Sequence, residues 1–297
     1  MIELGILLAL ASALAVNVSM LCRHRGAVAA PDVRFTHPLR SAAALFRSRW
    51  WTIGFAIAAG GFALHVVALS FAPLSLVETV ISGCIVLLAY LAQRWFGLRV
   101  TPREWLGLAL IAAGLAFLGA TVPDTAHHGG EYSHAAMIAF ESGAVGVGAL
   151  LLLSGTAGSR GSGRGPLLGL AAGLLLGVSN ISIKALTSTV PTDPLSILSP
   201  WTLALVLAGV GAFFALARGF QTGGAISVTA LASVAANCVS IGGGVLVFGD
   251  PIGADPLEVV LRSVAFAVVV AAVALMPARL GEPAPGTRAA AASAQGA

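Results

Sequence analysis

Residues 166–187 read PLLGLAAGLLLGVSNISIKALT, a stretch in which Lys184 is the only ionisable side chain. An α-helix needs roughly 20 mostly apolar residues to cross the hydrocarbon core of a bilayer, and this run is long enough. Asn180, Ser182 and Lys184 interrupt it near its end. The same Asn-x-Ser triplet stands at 17–19, inside another apolar run. Both triplets match the glycosylation acceptor pattern, but residues inside a membrane helix are out of reach of that modification. Their recurrence therefore points to the fold and to what the helices enclose.

Working outward, eight further segments have the same character: about 2–22, 50–71, 75–96, 103–122, 133–154, 197–217, 225–248 and 257–277. Of 297 residues, 58% are hydrophobic and 9% charged, and mean hydropathy is +0.95. That balance lies outside the range of soluble globular domains. The expected fold is all-α and polytopic, with about nine transmembrane helices. A β-barrel would instead show segments of ~10 residues with period-two alternation. The first segment lacks the basic start of a signal peptide, and arginines follow it where a small-residue cleavage site would stand. Cys22, Cys84 and Cys238 lie in or beside apolar segments without metal-ligand spacing, and read as small buried hydrophobes.

The sixteen basic residues sort by connection, and cytoplasmic loops are the ones that retain Lys and Arg. Arg23, Arg25, Arg34, Arg40, Arg47 and Arg49 follow the first segment, Arg94, Arg99 and Arg103 flank the turn between the third and fourth, and Arg160 and Arg164 precede the sixth. Arg218 follows the seventh, and Arg279 and Arg288 lie in the tail. With nine crossings all of these share one side. Lys184 and Arg262 fall toward the other, with Asp124, Glu131, Asp193, Asp250 and Asp255. The expected topology has the N-terminus outside and the C-terminus cytoplasmic, in the plasma membrane. The net charge of +4 then follows from topology and anionic lipid, with no nucleic-acid partner implied. The basic loop 23–49 reads either as a mobile loop or as a short amphipathic piece around its AAALF run. Residues 278–297 are low-complexity and expected to form a disordered cytoplasmic tail.

Aligning Asn17 with Asn180 brings Leu4-Gly5 within one position of Leu168-Gly169, and an offset of 152 lays the Phe-Gly of 96–97 on that of 248–249. Helices 1–4, in residues 1–122, thus resemble helices 6–9, in residues 156–277, with helix 5 linking them through 123–155. A single intervening crossing makes the second copy enter from the opposite face. Such 4+1+4 inverted repeats are a transporter signature, with the substrate site near mid-membrane.

Polar residues follow helical faces. Gly165, Gly169, Gly173 and Gly177 form a small-xxx-small stripe suited to close helix approach. At about 100° per residue, Asn180 and Lys184 lie within roughly 60° of that stripe. Thr229, Ser233, Asn237, Ser240 and Gly244 share one face of the eighth segment, and Ser75, Glu78, Ser82, Ala89 and Gln93 form a similar stripe on the third. Such a face lines something polar, or its hydroxyls bond the preceding turn and hold helices together. Lys184 either belongs to the site or reaches the headgroups from the helix end.

Carboxylates weigh more, because burying an unpaired charge in a bilayer costs at least ~2.5 kcal/mol. Glu141 lies about 12 Å into the fifth segment, on a face with His134 and Gly148. Glu78, one turn into the third, serves either function or a helix N-terminus. Either carboxylate would be protonated, hold a cation, or couple transport to protons. Glu258 and Arg262, spaced i,i+4, read as a structural pair. The expected substrate-binding set is Asn17, Glu78, Ser82, Glu141, Asn180, Lys184, Thr229, Ser233, Asn237 and Ser240, with Glu78 and Glu141 as metal ligands if the cargo is a cation.

Residues 49–120 resemble the drug/metabolite transporter superfamily, EamA-like in the broad sense. The marks are Ala68-Leu69 before FAPLSLV, a helix ending WFG at 95–97, a short basic turn, and EWLGLALIAAGLAFLG at 104–119. VFGD at 247–250 repeats the ending, with Asp250 resembling the acidic residue that closes this helix in the family. Trp50-Trp51, Phe71-Ala72-Pro73 and the nine-helix count look like the NIPA-type magnesium transporters. The chain departs from that subgroup at Val77-Glu78-Thr79-Val80 and at His65, where the subgroup tends to carry Asn. The wider resemblance implies two inverted halves working by alternating access on small solutes.

A secondary transporter of a small solute accounts for the repeat, the polar stripes and the buried carboxylates together, with a NIPA-like magnesium or divalent-cation carrier as the alternative. The expected partners are the small-molecule or ion substrate and the lipid bilayer. Enzymatic function and cofactors are not implied: no nucleophile elbow or His/Cys/Asp cluster stands out, and Gly242-Gly243-Gly244 lies within a helix.

Overall fold

A computed structural model describes residues 2–69, 71, 80, 84–96, 100–121, 132–157, 164–189, 194–249 and 255–273. These residues form ten α-helices and a short 3-10 turn, Pro194–Leu198, with no strand among them. The helices are α1 (Ile2–Ala29), α2 (Pro38–Arg47), α3 (Arg49–Leu69), α4 (Ile85–Phe96), α5 (Pro102–Thr121), α6 (His134–Ala157), α7 (Arg164–Thr189), α8 (Pro200–Thr222), α9 (Ala225–Phe248) and α10 (Pro256–Val273). Among the described residues five helices, within α1, α6, α7, α8 and α9, are long and apolar enough to cross a membrane. Large apolar side chains on the outside, such as Leu150 and Leu153 of α6, Leu207 of α8 and Leu257 of α10, are all more than 60% exposed. An apolar exterior of this kind is stable facing lipid.

The first segment is more helical than the residue pattern suggests, and in the basic loop the second of the two readings, a short amphipathic piece, is the one that forms. The first apolar run ends near residue 22, yet α1 continues to Ala29. Its 28 residues span about 42 Å at 1.5 Å per residue, longer than a ~30 Å hydrocarbon core. Nothing in CRHRGAVA breaks a helix except Gly26, and there α1 lies directly against the Trp51 backbone. Arg23 is buried with its guanidinium 5.0 Å from the Trp51 ring centroid. In the basic loop, AAALF lies within α2, which begins with Pro38 in its first turn, buries Leu45 and exposes Leu39. Proline suits that position because its missing N–H is not needed there.

Local chemistry sets other boundaries. At α5, Glu104 accepts a bond from the Thr101 N–H at 2.6 Å, and the Glu104 N–H donates to Thr101 Oγ1 at 3.4 Å. This is a capping box, and the loss of such a cap typically costs about 1 kcal/mol. At the end of α9, Gly249 adopts φ 67° and donates to the Gly244 carbonyl. Glycine takes this left-handed turn without a Cβ clash.

The packing has a repeating order. α1 lies along α3 and touches α4, and α4 packs on α5. In the later part, α7 lies along α8 and α9, and α9 packs on α10. α6 packs on α7, while α5 and α10 pair with each other. Arg262 of α10 donates to the Thr121 carbonyl at the end of α5 and sits 3.7 Å from Glu258. The segment after α1 is latched to α8: Gln221 accepts from the Val33 N–H at 2.9 Å and donates to the Ala27 and Pro31 carbonyls at 3.0 Å. Arg218 adds a 2.9 Å ion pair with Asp32.

Candidate functional site

α7 organises the polar interior. Gly165, Gly169, Gly173 and Gly177 bring it against the chain from Gly223 through α9. A Cβ at Gly169 would sit 2.8 Å from the Val228 carbonyl oxygen, and one at Gly173 would sit 2.7 Å from Ala235 Cβ. Only hydrogen fits at these approaches. Because residue 169 meets 228, 173 meets 235 and 181 meets 243, the two helices run parallel.

Beyond the stripe the seam turns polar. Asn180 Nδ2 donates to Ser240 Oγ of α9 at 3.2 Å, and Asn180 remains exposed on its other side. One turn on, Lys184 Nζ lies 4.4 Å from the centroid of the Phe248 ring. A cluster of Tyr132, His134, Trp201 and Phe248 adjoins it, with ring centroids 5.0–6.1 Å apart. Burial pushes the Tyr132 phenol above its ordinary value; a hydrogen bond with Trp201 partly offsets this, and the Glu141 charge adds to the rise.

Along α9, the exposed Asn237 donates to the Ser233 carbonyl at 2.8 Å, the local bond to the preceding turn. Ser233 and Ser240 are half-buried, whereas Thr229 is buried and its Oγ1 has no partner among the described residues. The stripe therefore passes from a sealed end at Thr229 to an open one at Asn237.

Glu141 lies elsewhere. It is 6% exposed, and its Oε1 accepts a hydrogen bond from Ser182 Oγ, itself fully buried, at 2.7 Å. Asn180 and Ser182 are two residues apart, about 200° around the helix. Glu141 and Ser240 therefore approach α7 from nearly opposite faces, in two places and not one. In the first half, Asn17 is buried and donates to the Cys84 carbonyl, next to α4, at 3.0 Å. Glu78 and Ser82 lie outside the described residues, as do Asp124, Glu131, Asp193, Asp250 and the tail 278–297.

Ser182 stands in the Asn-x-Ser triplet but outside the expected set, and a helical wheel anchored on Glu141 alone does not reach it. Tyr132, Trp201 and Phe248 give no sequence signal beyond being aromatic near segment ends. Among the described residues no group of three or more His, Cys, Asp or Glu side chains is placed to hold a metal ion.

Fold and composition together define an all-α membrane protein. No family model, curated protein or solved structure matches the chain.

Proposed function

We propose that the chain is a secondary transporter of the drug/metabolite transporter type, moving a small solute across the plasma membrane by alternating access of two inverted four-helix halves about α6. The observation that carries this reading is the matched helix pairing. α1–α3, α1–α4 and α4–α5 correspond to α7–α8, α7–α9 and α9–α10, with α5 and α10 meeting across the halves. The two asparagines of the repeat support it, since each reaches from the first helix of its half to the third: Asn17 to Cys84, Asn180 to Ser240. The exposed polar stripe around Asn237 offers solute hydrogen-bonding groups, and the Glu141–Ser182 pair offers a group able to exchange a proton. Nine crossings, with the arginine-bearing ends cytoplasmic and the N-terminus outside, complete the proposal.

The test is flux through purified protein in liposomes against a panel of amino acids, cationic drugs and magnesium. Saturable movement of an organic solute, reduced by Asn180→Ala, supports the reading. Magnesium flux without organic solute flux replaces it with a divalent-cation carrier, and no flux of any member above protein-free liposomes counts against both.

A further inference from the structure

A cleft of about 580 Å³ opens where the segment after α1 meets the end of α6, the start of α7 and the end of α8. Its size suits a small ligand. Its walls are of two kinds. Three guanidinium groups, on Arg34, Arg164 and Arg218, line it together with the apolar side chains of Phe35, Leu152 and Leu153. Among the described residues the carboxylate paired there is Asp32, 2.9 Å from Arg218 and 73% exposed on its side chain. Three cations against one anion leave an excess of positive charge. Among the described residues Arg164 Nε is buried without a hydrogen-bond partner, which leaves a donor open to an added acceptor. The apolar wall continues onto the outer face of α6, where Leu150 and Leu153 are 65% and 64% exposed.

We propose that this cleft binds an anionic phospholipid, with its phosphate against Arg34, Arg164 and Arg218 and its acyl chain along the exposed face of α6. A basic pocket between membrane helices on one leaflet is the arrangement that holds anionic headgroups. Guanidinium groups match phosphate oxygens through paired N–H donors. A soluble phosphate would use the arginines and leave the apolar wall bare; a diacyl lipid uses both. Because Arg34 belongs to the segment after α1 while Arg164 and Arg218 belong to α7 and α8, the bound lipid ties the first half to the second. The proposal does not depend on transport.

The test uses the full-length protein in nanodiscs of phosphatidylcholine, with and without a minority of phosphatidylglycerol, and in phosphatidylcholine with inorganic phosphate in the buffer. Retained lipid is identified by native mass spectrometry, and affinity is measured with fluorescent phosphatidylglycerol. The expected result is selective retention of phosphatidylglycerol, not displaced by inorganic phosphate. An Arg34→Gln/Arg164→Gln variant should weaken it on the order of thirtyfold, from the usual strength of two basic residues near an anionic surface. An Arg34→Lys/Arg164→Lys variant, which keeps the charge but loses the paired donors, should bind between wild type and the glutamine variant. Equal retention of phosphatidylcholine, displacement by inorganic phosphate, or an unchanged affinity in the glutamine variant overturns the proposal. The lipid and phosphate arms need only the wild-type protein, so they decide the matter even if a variant fails to fold.

Discussion

Adding one methyl group at Gly173 tests whether the α7–α9 seam is held by close backbone approach. The new Cβ would lie 2.7 Å from Ala235 Cβ and closer still to the Ala232 carbonyl. Carbon atoms prefer about 3.5–4.0 Å, so the helices must part locally by about 1 Å. Gaps of 0.5–1 Å already forfeit a quarter to a half of each dispersion contact along the stripe, and overpacking of this kind costs typically 1–3 kcal/mol. Against this stands the better helix propensity of alanine, about 0.8–1.0 kcal/mol. Gly143→Ala supplies the control, because nothing lies within 4 Å of a Cβ there. It gains the propensity term without the clash. Unfolding free energies in mixed micelles should therefore separate Gly173→Ala from Gly143→Ala by about 1–3 kcal/mol, with Gly173→Ala the less stable. The same separation would carry Asn180 and Ser240, now 3.2 Å apart, beyond hydrogen-bonding distance. Equal stability for the two variants would refute close packing at Gly173.

Three further outcomes follow from the same geometry. Glu141→Gln keeps the shape of the carboxyl group and removes its titration; liposome flux should lose part of its pH dependence while membrane insertion is unchanged, and an identical pH profile would discard proton coupling through Glu141. Thr229→Val removes a buried hydroxyl that has no partner among the described residues, so mixed-micelle unfolding should show a neutral or stabilising change of up to about 1 kcal/mol, and a clear loss would show that the hydroxyl is bonded. Gln221→Ala breaks three bonds from α8 to residues 27–33. At about 0.5–1.5 kcal/mol each, this should raise hydrogen exchange there well above wild type, and unchanged protection at Val33 would count against the latch.

Much of the fold was legible because membrane helices announce themselves by length. Apolar runs near 20 residues match most of the described helices, and the four-residue glycine spacing on α7 matches an observed close approach to α9. The continuation of α1 through Arg23 and His24 was not legible, since charged residues read as loop until Trp51 is seen to cover Arg23. The site was legible by residue type but not by arrangement. Asn180, Ser240, Asn237 and Glu141 all stand out as polar groups in apolar runs. Their division into two places depends on which neighbour faces each side of α7, and helical spacing within a single segment cannot supply that. The latch through Gln221 joins residues 188 to 194 positions apart, and no local pattern in either segment marks it.

The division has a mechanical consequence for the transporter reading. A carboxylate that met solute directly could couple by contact, but Glu141 is sealed against Ser182 while Asn180 faces α9. α7 carries groups of both places, and α6 also meets α9 directly where Phe140 lies against Gly242 and Gly243. Ser182 and Asn180 sit about 200° apart on one rigid helix, so a rotation of α7 that draws Ser182 toward Glu141 carries Asn180 away from its present position against Ser240. The seam is closely seated, with Ala235 and Val239 of α9 against Gly173 and Gly177 and Ile181 of α7 against Gly243, so such a rotation must carry these contacts with it. Proton exchange at Glu141 would then bias the seam without a proton ever reaching it. In the transporter reading, α7, which carries both Asn180 and Ser182, is the element that would link the two places.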